Sequence, residues 1–523
     1  MLILYNAHIY APQNPTALAI EHGKIQAVGQ DAPILAEFGW KAVIRNMEER
    51  TLWPGLVDAH LHLKLYALSL QQINCETTTR AECLARVAEK AGRTPANQWI
   101  RGHGWNHNTW PEGLGSAEIL DAVAPHQPVY LTAKSLHAAW ANHAALTLAG
   151  INVQTPDPNN GVIQRDAKGL PTGILYETAM DLVGKIIPPP TPDEIVTAIS
   201  LAQESLLSVG LTGLHDFDGS DCFVALQKLH LAGRLKLRII KAIHEEDLAN
   251  AISIGLRSNF GDDRLRIGAL KLFADGALGP QTAAMLQPYE GEPSNLGLLA
   301  LDAEEIQAIG QRAIENGFNL AIHAIGDRAN HAVLDAYEWM RIYEKDHHLP
   351  ELRHRIEHVQ VIDPLDQGRL AALNIIASMQ PTHAPSDMEM ADHHWGSRSK
   401  NAYAWQSLRK KATRLAFGSD APVESPNPFW GLHAAVTRCR QDGLPGEAGW
   451  YPEQRLALED ALHAFTQGTA YAAGMEQYSG LIAPYFWADL IVLKEDPFML
   501  PAKDLFKIKP VATMIAGEWV WQA

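Results

Sequence analysis

Side chains that can bind metal ions stand at the ends of five separate apolar segments of this chain. They are His60 and His62 in LVDAHLHL, Lys271 in IGALKLFADG, His323 in NLAIHAIGD, His358 in RIEHVQVI and Asp420 in LAFGSDAPV. Neutral imidazole and carboxylate oxygen are ligands of Zn²⁺-like ions, and a catalytic site gathers such ligands from several strands. The ordered set therefore predicts one binuclear metal centre.

The spacing of the first two histidines suits a single metal ion. Residues two apart in a strand point to the same face, so His60 and His62 are expected to bind one ion, and Asp58 shares that face. Pro54 and Gly55 lead the chain into this strand. Its apolar start gives no reason for two imidazoles unless something pairs with them. The alternative is a pair of polar residues on a half-exposed strand.

Composition narrows the class of protein. The chain has 523 residues, of which 47% are hydrophobic and 20% charged, as in a globular protein with one large domain and a smaller one. A net charge of −16 without a basic run argues against a nucleic-acid partner. The N-terminus lacks the features of a secretory signal and no stretch approaches transmembrane length, so we expect a cytoplasmic location and no membrane partner. The four cysteines are expected to be free thiols, and a homodimer is the expected assembly.

Strand-like segments alternate with helical ones through most of the chain. After the first histidine pair they fall at residues 210–217, 235–243, 266–276, 319–326, 355–362, 375–383 and 415–422. Helical patterns such as residues 302–317 lie between most of them, opened by acidic side chains and closed by a glycine. This order predicts an α/β fold, a (β/α)₈ barrel of the TIM type, with the candidate ligands at the C-terminal ends of its strands.

The chain ends and one long insertion differ from this pattern. Short strands separated by turns occupy residues 1–52 and 476–523, which predicts a small β-sandwich built from both termini around a barrel of residues 53–475. Residues 77–192 are too many for one β-to-α connection and are rich in Trp, His, Pro and Asn. We interpret them as an insertion that caps the barrel mouth, with a structural appendage on the side of the barrel as the alternative.

The later ligands fit this barrel one by one. A single strand histidine is more often a buried core residue than a ligand, yet His323 and His358 both follow apolar runs at the expected position. At Asp420, Gly418 allows close backbone approach and Pro422 ends the strand, so the carboxylate is presented at the rim. We expect Asp420 to bind metal and to act as the general base.

The ordered motifs resemble those of the amidohydrolase superfamily, and within it the amidohydrolase family 3 branch that includes the N-substituted formamide deformylases. The resemblance covers essentially the whole chain and rests on PGLVDAHLHL, RGHGW, LHAAWANHAAL, LKLFADGALG, AIHAIGDRA, RIEHVQ, SMQPTH and FGSDAPVESPNPFWGLHAAVTR. It implies a metal centre of His60, His62, Lys271, His323, His358 and Asp420 that holds two divalent ions, with zinc the expected metal. It also implies that Lys271 carries a CO₂-derived carbamate.

The chemistry of a buried lysine agrees with that implication. Burial depresses the pKa of an amine that has no ion-pair partner, and the neutral amine can capture CO₂. The resulting carbamate offers two oxygen atoms that can bridge two cations. The alternative is an ion pair of Lys271 with Asp275, which would leave a mononuclear centre.

The expected reaction is hydrolysis of a C–N bond in a small-molecule substrate, an N-acyl or N-formyl amide, by metal-activated hydroxide. His137 and His383 are the candidate catalytic donors to the tetrahedral oxyanion, with hydrogen-bonded loop histidines as the alternative. Trp105, Trp110 and Trp140 are candidates for the wall of a substrate pocket, or they form the insertion's own core. The aromatic content favours an apolar or aromatic group on the amide nitrogen.

Three other functions remain open at this point. A mononuclear deaminase of the same fold would use the same ligands without the lysine. A phosphoester hydrolase would use the same two ions, although no cluster of arginines is visible for a phosphate. A barrel that has lost catalysis and serves as an assembly scaffold belongs to a different class, and it should have lost ligands that this chain retains.

Overall fold

The computed structural model describes residues 1–107, 110–133, 138–159 and 161–523. Within them the chain forms two compact units, Met1–Tyr66 with Ile195–Ala523, and Ala67–Glu194. No helix in these described ranges is both long enough and apolar enough to cross a lipid bilayer.

An eight-stranded parallel sheet forms the centre of the first unit, with each strand beside the next one along the chain. Its strands are β1 (Leu56–Leu61), β2 (Leu211–Asp216), β3 (Arg238–His244), β4 (Leu265–Phe273), β5 (Leu320–Ala324), β6 (Arg355–His358), β7 (Ile376–Met379) and β8 (Leu415–Phe417). The segment after β8 returns to β1, where the Asp420 N–H donates to the His60 carbonyl at 2.7 Å and the His62 N–H donates to the Ala421 carbonyl at 2.9 Å. The predicted (β/α)₈ barrel is confirmed.

Helices connect the barrel strands. The α-helices of the first unit outside the boundary with the second are Asp31–Phe38, Ser220–Leu231, Leu248–Ser253, Ala303–Glu315, Asp327–Asp346, Arg369–Ala372, His383–Trp395, Trp405–Lys410, Pro428–Thr437, Leu458–Phe465 and Gln467–Ala472. The helix Ala303–Glu315 shows how the sequence defines them. Its N-cap Asp302 and Glu305 form a reciprocal capping box, and Gly317 follows the helix with a φ of +75°.

Several predicted strands were too long at their carboxyl ends, although the strand predicted at residues 235–243 instead begins later and extends to His244. Residues 375–383 were predicted as one strand, but β7 ends at Met379 and a helix already begins at His383. Pro381 lies in between and has no N–H to donate to a neighbouring strand. The residues past each strand end are therefore free to form the rim of the barrel.

Two further sheets come from the chain ends. One contains Lys24–Gly29, Ala17–Glu21, Leu2–Tyr5 and Val43–Asn46, and the other contains His8–Ile9, Thr51–Pro54, Leu490–Leu493, Ala512–Ile515 and Glu518–Gln522. In the second sheet, Thr51–Pro54 pairs antiparallel with Leu490–Leu493 and so joins both termini. Leu4, Ile20, Leu52, Val492 and Met514 share one core cluster between the sheets, so the β-sandwich is built from both ends of the chain.

The second unit has its own sheet and core. The strands of its sheet are, in order across it, Gly161–Arg165, Pro171–Glu177, Ala138–Ala141, Val129–Ala133, Ile100–Trp105 and Ile73–Asn74. Its helices are Arg80–Ala91, Ala117–Val123, His143–Leu148 and Asp181–Gly184, and the helices Leu63–Ser69 and Pro192–Ser208 span its boundaries.

The three candidate pocket tryptophans lie in the core of this second unit. Trp105, Trp110 and Trp140 are 1%, 4% and 1% exposed and belong to one hydrophobic cluster. Their indole N–H groups donate to backbone carbonyls, for example from Trp105 to Leu131 at 2.8 Å. These side chains therefore belong to the core of the second unit, which was the alternative to a pocket wall.

Candidate metal centre

The carboxyl ends of the barrel strands bring the six candidate ligands to one cavity. His60 lies in β1, His62 directly after it, Lys271 in β4, His323 in β5, His358 at the end of β6 and Asp420 after β8. All six line a cavity of about 350 Å³, together with His383. The sequence therefore identified side chains that the fold places around a common space.

Asp420 lies at the junction of two potential ligand groups. Its Oδ1 atom is 3.5 Å from Nε2 of His60 and 3.5 Å from Nε2 of His62, and its Oδ2 atom is 3.8 Å from Nε2 of His383. The donor atoms of His60, His62 and Asp420 lie within 4.8 Å of one another, as do those of His358, His383 and Asp420. Each group has donor atoms close enough together to hold one metal ion, and Asp420 belongs to both groups.

In each of the four candidate ligand histidines, one ring nitrogen contacts an oxygen atom of a neighbouring residue. His60 Nδ1 donates to Glu357 at 2.6 Å, His62 Nδ1 faces Asp218 at 3.4 Å, His358 Nδ1 donates to Gln380 at 2.9 Å, and His323 Nε2 donates to the Gly276 carbonyl at 2.9 Å. Such partners fix the orientation of each ring and leave its other nitrogen unprotonated for a metal. The imidazoles are thus prepared as ligands.

The electrostatics of the site favour neutral imidazoles at three of these positions. Burial lowers the pKa of His60 and of His358 well below the usual value, and it lowers the pKa of His323 to about 4. His62 differs, because although burial opposes protonation, the Asp218 and Asp420 carboxylates raise its pKa. Burial also raises the pKa of Asp420, despite the nearby imidazoles. A divalent ion would offset the cost of burying this carboxylate.

Lys271 is a buried amine without a carboxylate partner. Among the described residues, none places a carboxylate oxygen within ion-pair distance of its Nζ atom, which lies 4.9 Å and 4.7 Å from the ring centres of Phe217 and Phe273. Burial lowers the pKa of Lys271 to about 8. Asp275 instead accepts backbone N–H groups from Ala284, Ile325 and Gly326. The alternative pairing of Lys271 with Asp275 is therefore absent, and the amine is suited to carbamate formation.

Close approach of β1 and the β8 segment depends on Gly418. A Cβ atom at this position would lie 2.5 Å from Asp58 Oδ1 and 2.5 Å from the His60 nitrogen. Asp58 accepts hydrogen bonds from the N–H groups of His60 and Ser419 and from the Ser419 hydroxyl. It therefore holds the two strand ends together rather than binding the metal. Asp420 itself has a φ of +61°, a strained conformation that aims its carboxylate into the cavity.

The residues that support the candidate ligands were not predicted from the sequence. Glu357 is fully buried between the Arg355 guanidinium and His60, and Asp218 follows β2 and contacts His62. The available signal was chemical, because an Arg and a Glu inside an apolar strand, as in RIEH, need partners when they are buried. Asp218 follows the carboxyl end of β2, so its position relative to a strand resembles that of the candidate ligands.

Of the two candidate oxyanion donors, the structure describes His383. His383 is the first residue of the helix His383–Trp395, and its Nδ1 atom accepts from the Gln360 amide at 3.2 Å. Its proton therefore lies on Nε2, which faces Asp420. His137 lies outside the described residues.

A larger cavity, of about 860 Å³, lies beside the β-sandwich and is lined by Tyr10, Trp53 and Phe498 among others. It contains none of the candidate ligands. Because chemistry depends on convergent reactive groups and not on volume, the smaller cavity at the barrel mouth is the candidate active site.

Comparison with known proteins agrees with the fold and the site. The family model described as "Amidohydrolase family" matches residues 44–521. "Putative amidohydrolase YtcJ" of Bacillus subtilis (strain 168) is 33% identical over 97% of this chain and 96% of that protein, and an "N-substituted formamide deformylase" of Arthrobacter pascens is 28% identical over 99% and 97%. The crystal structure of an uncharacterized metal-dependent hydrolase from Pyrococcus furiosus is 29% identical with a TM-score of 0.79, covering 95% of this chain and 99% of that one.

A barrel whose candidate metal ligands converge at its carboxyl end is typical of metal-dependent hydrolases, and the similarity to the Pyrococcus furiosus structure supports that class here. The chain belongs to the amidohydrolase family.

Proposed function

We propose that this protein hydrolyses the C–N bond of a small N-acyl or N-formyl amide at a centre of two divalent ions. The observation that carries the proposal is Asp420, whose two oxygen atoms each face a different group of histidines. A carboxylate in that position can bind metal and exchange a proton with the substrate. The formamide deformylase among the relatives supports this bond class.

The donor set fits the ions. As the family resemblance implies, His60 and His62 would hold one of them and His323 and His358 the other, with Asp420 and the carbamate of Lys271 as the remaining oxygen ligands. His383, which donor spacing alone groups with His358 and Asp420, is assigned to the substrate instead, because its Nδ1 atom accepts from Gln360 and its proton lies on Nε2. All are neutral nitrogen or anionic oxygen donors, as zinc prefers. When bound, the two ions would lower the pKa of a water molecule and polarise the substrate carbonyl.

The protein's own groups would carry the protons. Asp420 accepts a proton from the attacking water and delivers it to the leaving nitrogen, so that the amine departs neutral. The Nε2–H of His383 donates to the carbonyl oxygen as negative charge develops there, and Gln360 holds the imidazole in the required tautomer. Glu357 and Asp218 keep His60 and His62 in place.

The cavity lining disfavours a phosphoester substrate. In the part of the chain that the structure describes, it includes two further carboxylates, Asp387 and Glu424, and no arginine. Two extra negative charges would repel a phosphate group, whereas they do not oppose a neutral amide.

The insertion is proposed to contribute to substrate choice. Long insertions in barrel enzymes commonly carry binding residues, and residues 77–192 include His137. A cross-link between a cysteine introduced near His137 and a thiol-reactive inhibitor bound at the metals would support a cap over the mouth. Failure to react at any position along this stretch would favour a structural appendage.

The test of the proposed function combines elemental analysis with a hydrolysis screen of the zinc-loaded protein. The screen covers N-formyl amines, N-acyl amino acids, cyclic amides, esters and phosphoesters. We expect turnover of an N-formyl or N-acyl amine that is lost in Asp420→Asn. Turnover restricted to esters or phosphoesters would contradict the proposal.

A further inference from the structure

One wall of the candidate active site contains carboxylates that the metal centre does not use. Asp387 lies on the helix His383–Trp395, and Glu424 follows β8 by a short loop. Both line the same cavity as the ligands, and neither belongs to a group of side chains spaced to hold an ion. Their presence in a substrate cavity therefore needs another explanation.

Both carboxylates have neutral partners only. The Tyr403 hydroxyl donates to Asp387 at 2.5 Å, and the Ser386 hydroxyl hydrogen bonds with Glu424. Across the described ranges, no Lys or Arg nitrogen lies within ion-pair distance of either carboxylate. Burial raises the pKa of Glu424, and the Asp387 and Asp420 carboxylates act in the same direction. A cation between them would relieve both costs.

Two buried polar atoms of the same wall also lack partners within the described chain. They are Nε2 of His383 and Oε1 of Gln360, whose residues are 6% and 5% exposed. Both residues line the cavity. The Nε2 atom of His383 lies 3.8 Å from Asp420 Oδ2, beyond hydrogen-bond distance. The wall therefore runs from the reacting centre to the carboxylate pair and offers unsatisfied donors and acceptors along it.

The rest of the cavity is apolar and small. Phe273, Leu278, Ile325 and Met390 contribute to its lining. A volume of about 350 Å³ holds a small ligand only. The lining of the cavity thus combines the candidate ligands, apolar side chains and a pair of carboxylates.

We propose that the substrate is a small amide that carries a cationic nitrogen on a short aliphatic arm, with this nitrogen held between Asp387 and Glu424. The inference rests on the proposed amide hydrolysis and specifies its substrate class. It differs from the apolar or aromatic substituent expected from the sequence, because that expectation relied on tryptophans that lie in the core of the second unit. The net charge of −16 would further attract a cation.

The test compares two substrates of equal length that differ in charge, N-(4-aminobutyl)formamide and N-pentylformamide, together with their acetamide counterparts. We expect kcat/KM to favour the cationic member by about ten-fold or more, as one charge-assisted hydrogen bond provides. Glu424→Gln and Asp387→Asn should each reduce that preference. Glu389→Gln removes the same charge from the same helix but at an exposed side chain outside the cavity, so it should leave the ratio unchanged.

A binding measurement separates this inference from the proposed function. Calorimetric titration of the zinc-loaded protein with pentylammonium and with 1-pentanol requires no turnover. Binding of pentylammonium that weakens in Glu424→Gln, without hydrolysis of any amide, would support the cation site and contradict amide hydrolysis. Equal rates for the charged and neutral amides, with no pentylammonium binding, would overturn the inference and leave the hydrolase intact. If the protein neither hydrolyses an amide nor binds pentylammonium, both the inference and the proposed function are overturned. A guanidinium analogue that binds better than pentylammonium would support a guanidinium as the cationic group.

Discussion

The contact between Asp218 and His62 should determine how tightly the first metal ion binds. Asp218 Oδ1 lies 3.4 Å from His62 Nδ1, and its Oδ2 accepts N–H groups from Lys64 at 2.5 Å and Leu65 at 3.3 Å. In Asp218→Asn, the amide oxygen can keep these backbone bonds while the NH₂ group faces His62. The imidazole must then accept at Nδ1, which places its proton on Nε2, the atom that faces Asp420.

The expected loss follows from this change of tautomer. Removing such a supporting partner weakens metal affinity by about 10- to 100-fold, which corresponds to roughly 1.4–2.7 kcal/mol. Competition between the protein and a chromophoric zinc chelator measures this affinity. The matched control is Asp221→Asn, which removes a nearby carboxylate from the first turn of the helix Ser220–Leu231, where it pairs with Lys64 at an exposed position. Unchanged affinity in Asp218→Asn, or an equal loss in the control, would refute the orienting role.

Three other perturbations test separate parts of the structure. Lys271→Ala should lose activity and one metal equivalent, with partial recovery on adding a short-chain carboxylic acid, and full activity without it would favour a mononuclear centre. Metal binding near pH 6 should release a proton from His62, whose pKa is raised, whereas His323, with a pKa of about 4, is already neutral there. Metal affinity should therefore weaken as the pH falls. Calorimetry in buffers of different ionisation enthalpy should show a smaller proton release in His62→Asn than in the unsubstituted protein, and an equal release would contradict this assignment. Trp105→Ala should destabilise the second unit by about 3–5 kcal/mol in denaturant unfolding, because it empties a core position, and a loss below 1 kcal/mol would contradict the packing.

The barrel was predictable from its pattern of alternating strands and helices, and the same pattern located the candidate ligands that line its cavity. Each barrel strand is an apolar run, and a polar side chain at its carboxyl end stands out against that run, as with His323 and Asp420. Parallel strands of a closed sheet bring those ends to one rim, so the order of the motifs was sufficient to group them. The short strand-like segments near both termini indicated sheets formed by the chain ends, and Thr51–Pro54 does pair with Leu490–Leu493.

The supporting residues and the substrate wall could not be predicted in the same way. Glu424 and Asp387 lie in different elements, and only the folded chain shows that they face one cavity. The tryptophans of the insertion gave an ambiguous signal, since a large aromatic side chain suits a pocket wall and a core equally well until its neighbours are known. For Trp105 the neighbours are core side chains and a backbone carbonyl.

The most direct test of the metal centre is a crystal structure of the zinc-loaded protein with anomalous differences measured on both sides of the zinc absorption edge. We predict two peaks in the cavity at the barrel mouth, one beside His60 and His62 and one beside His323 and His358, with Asp420 in contact with at least one ion and extra density on Lys271. A cavity without any zinc peak, or zinc bound only at sites remote from these residues, would contradict the account.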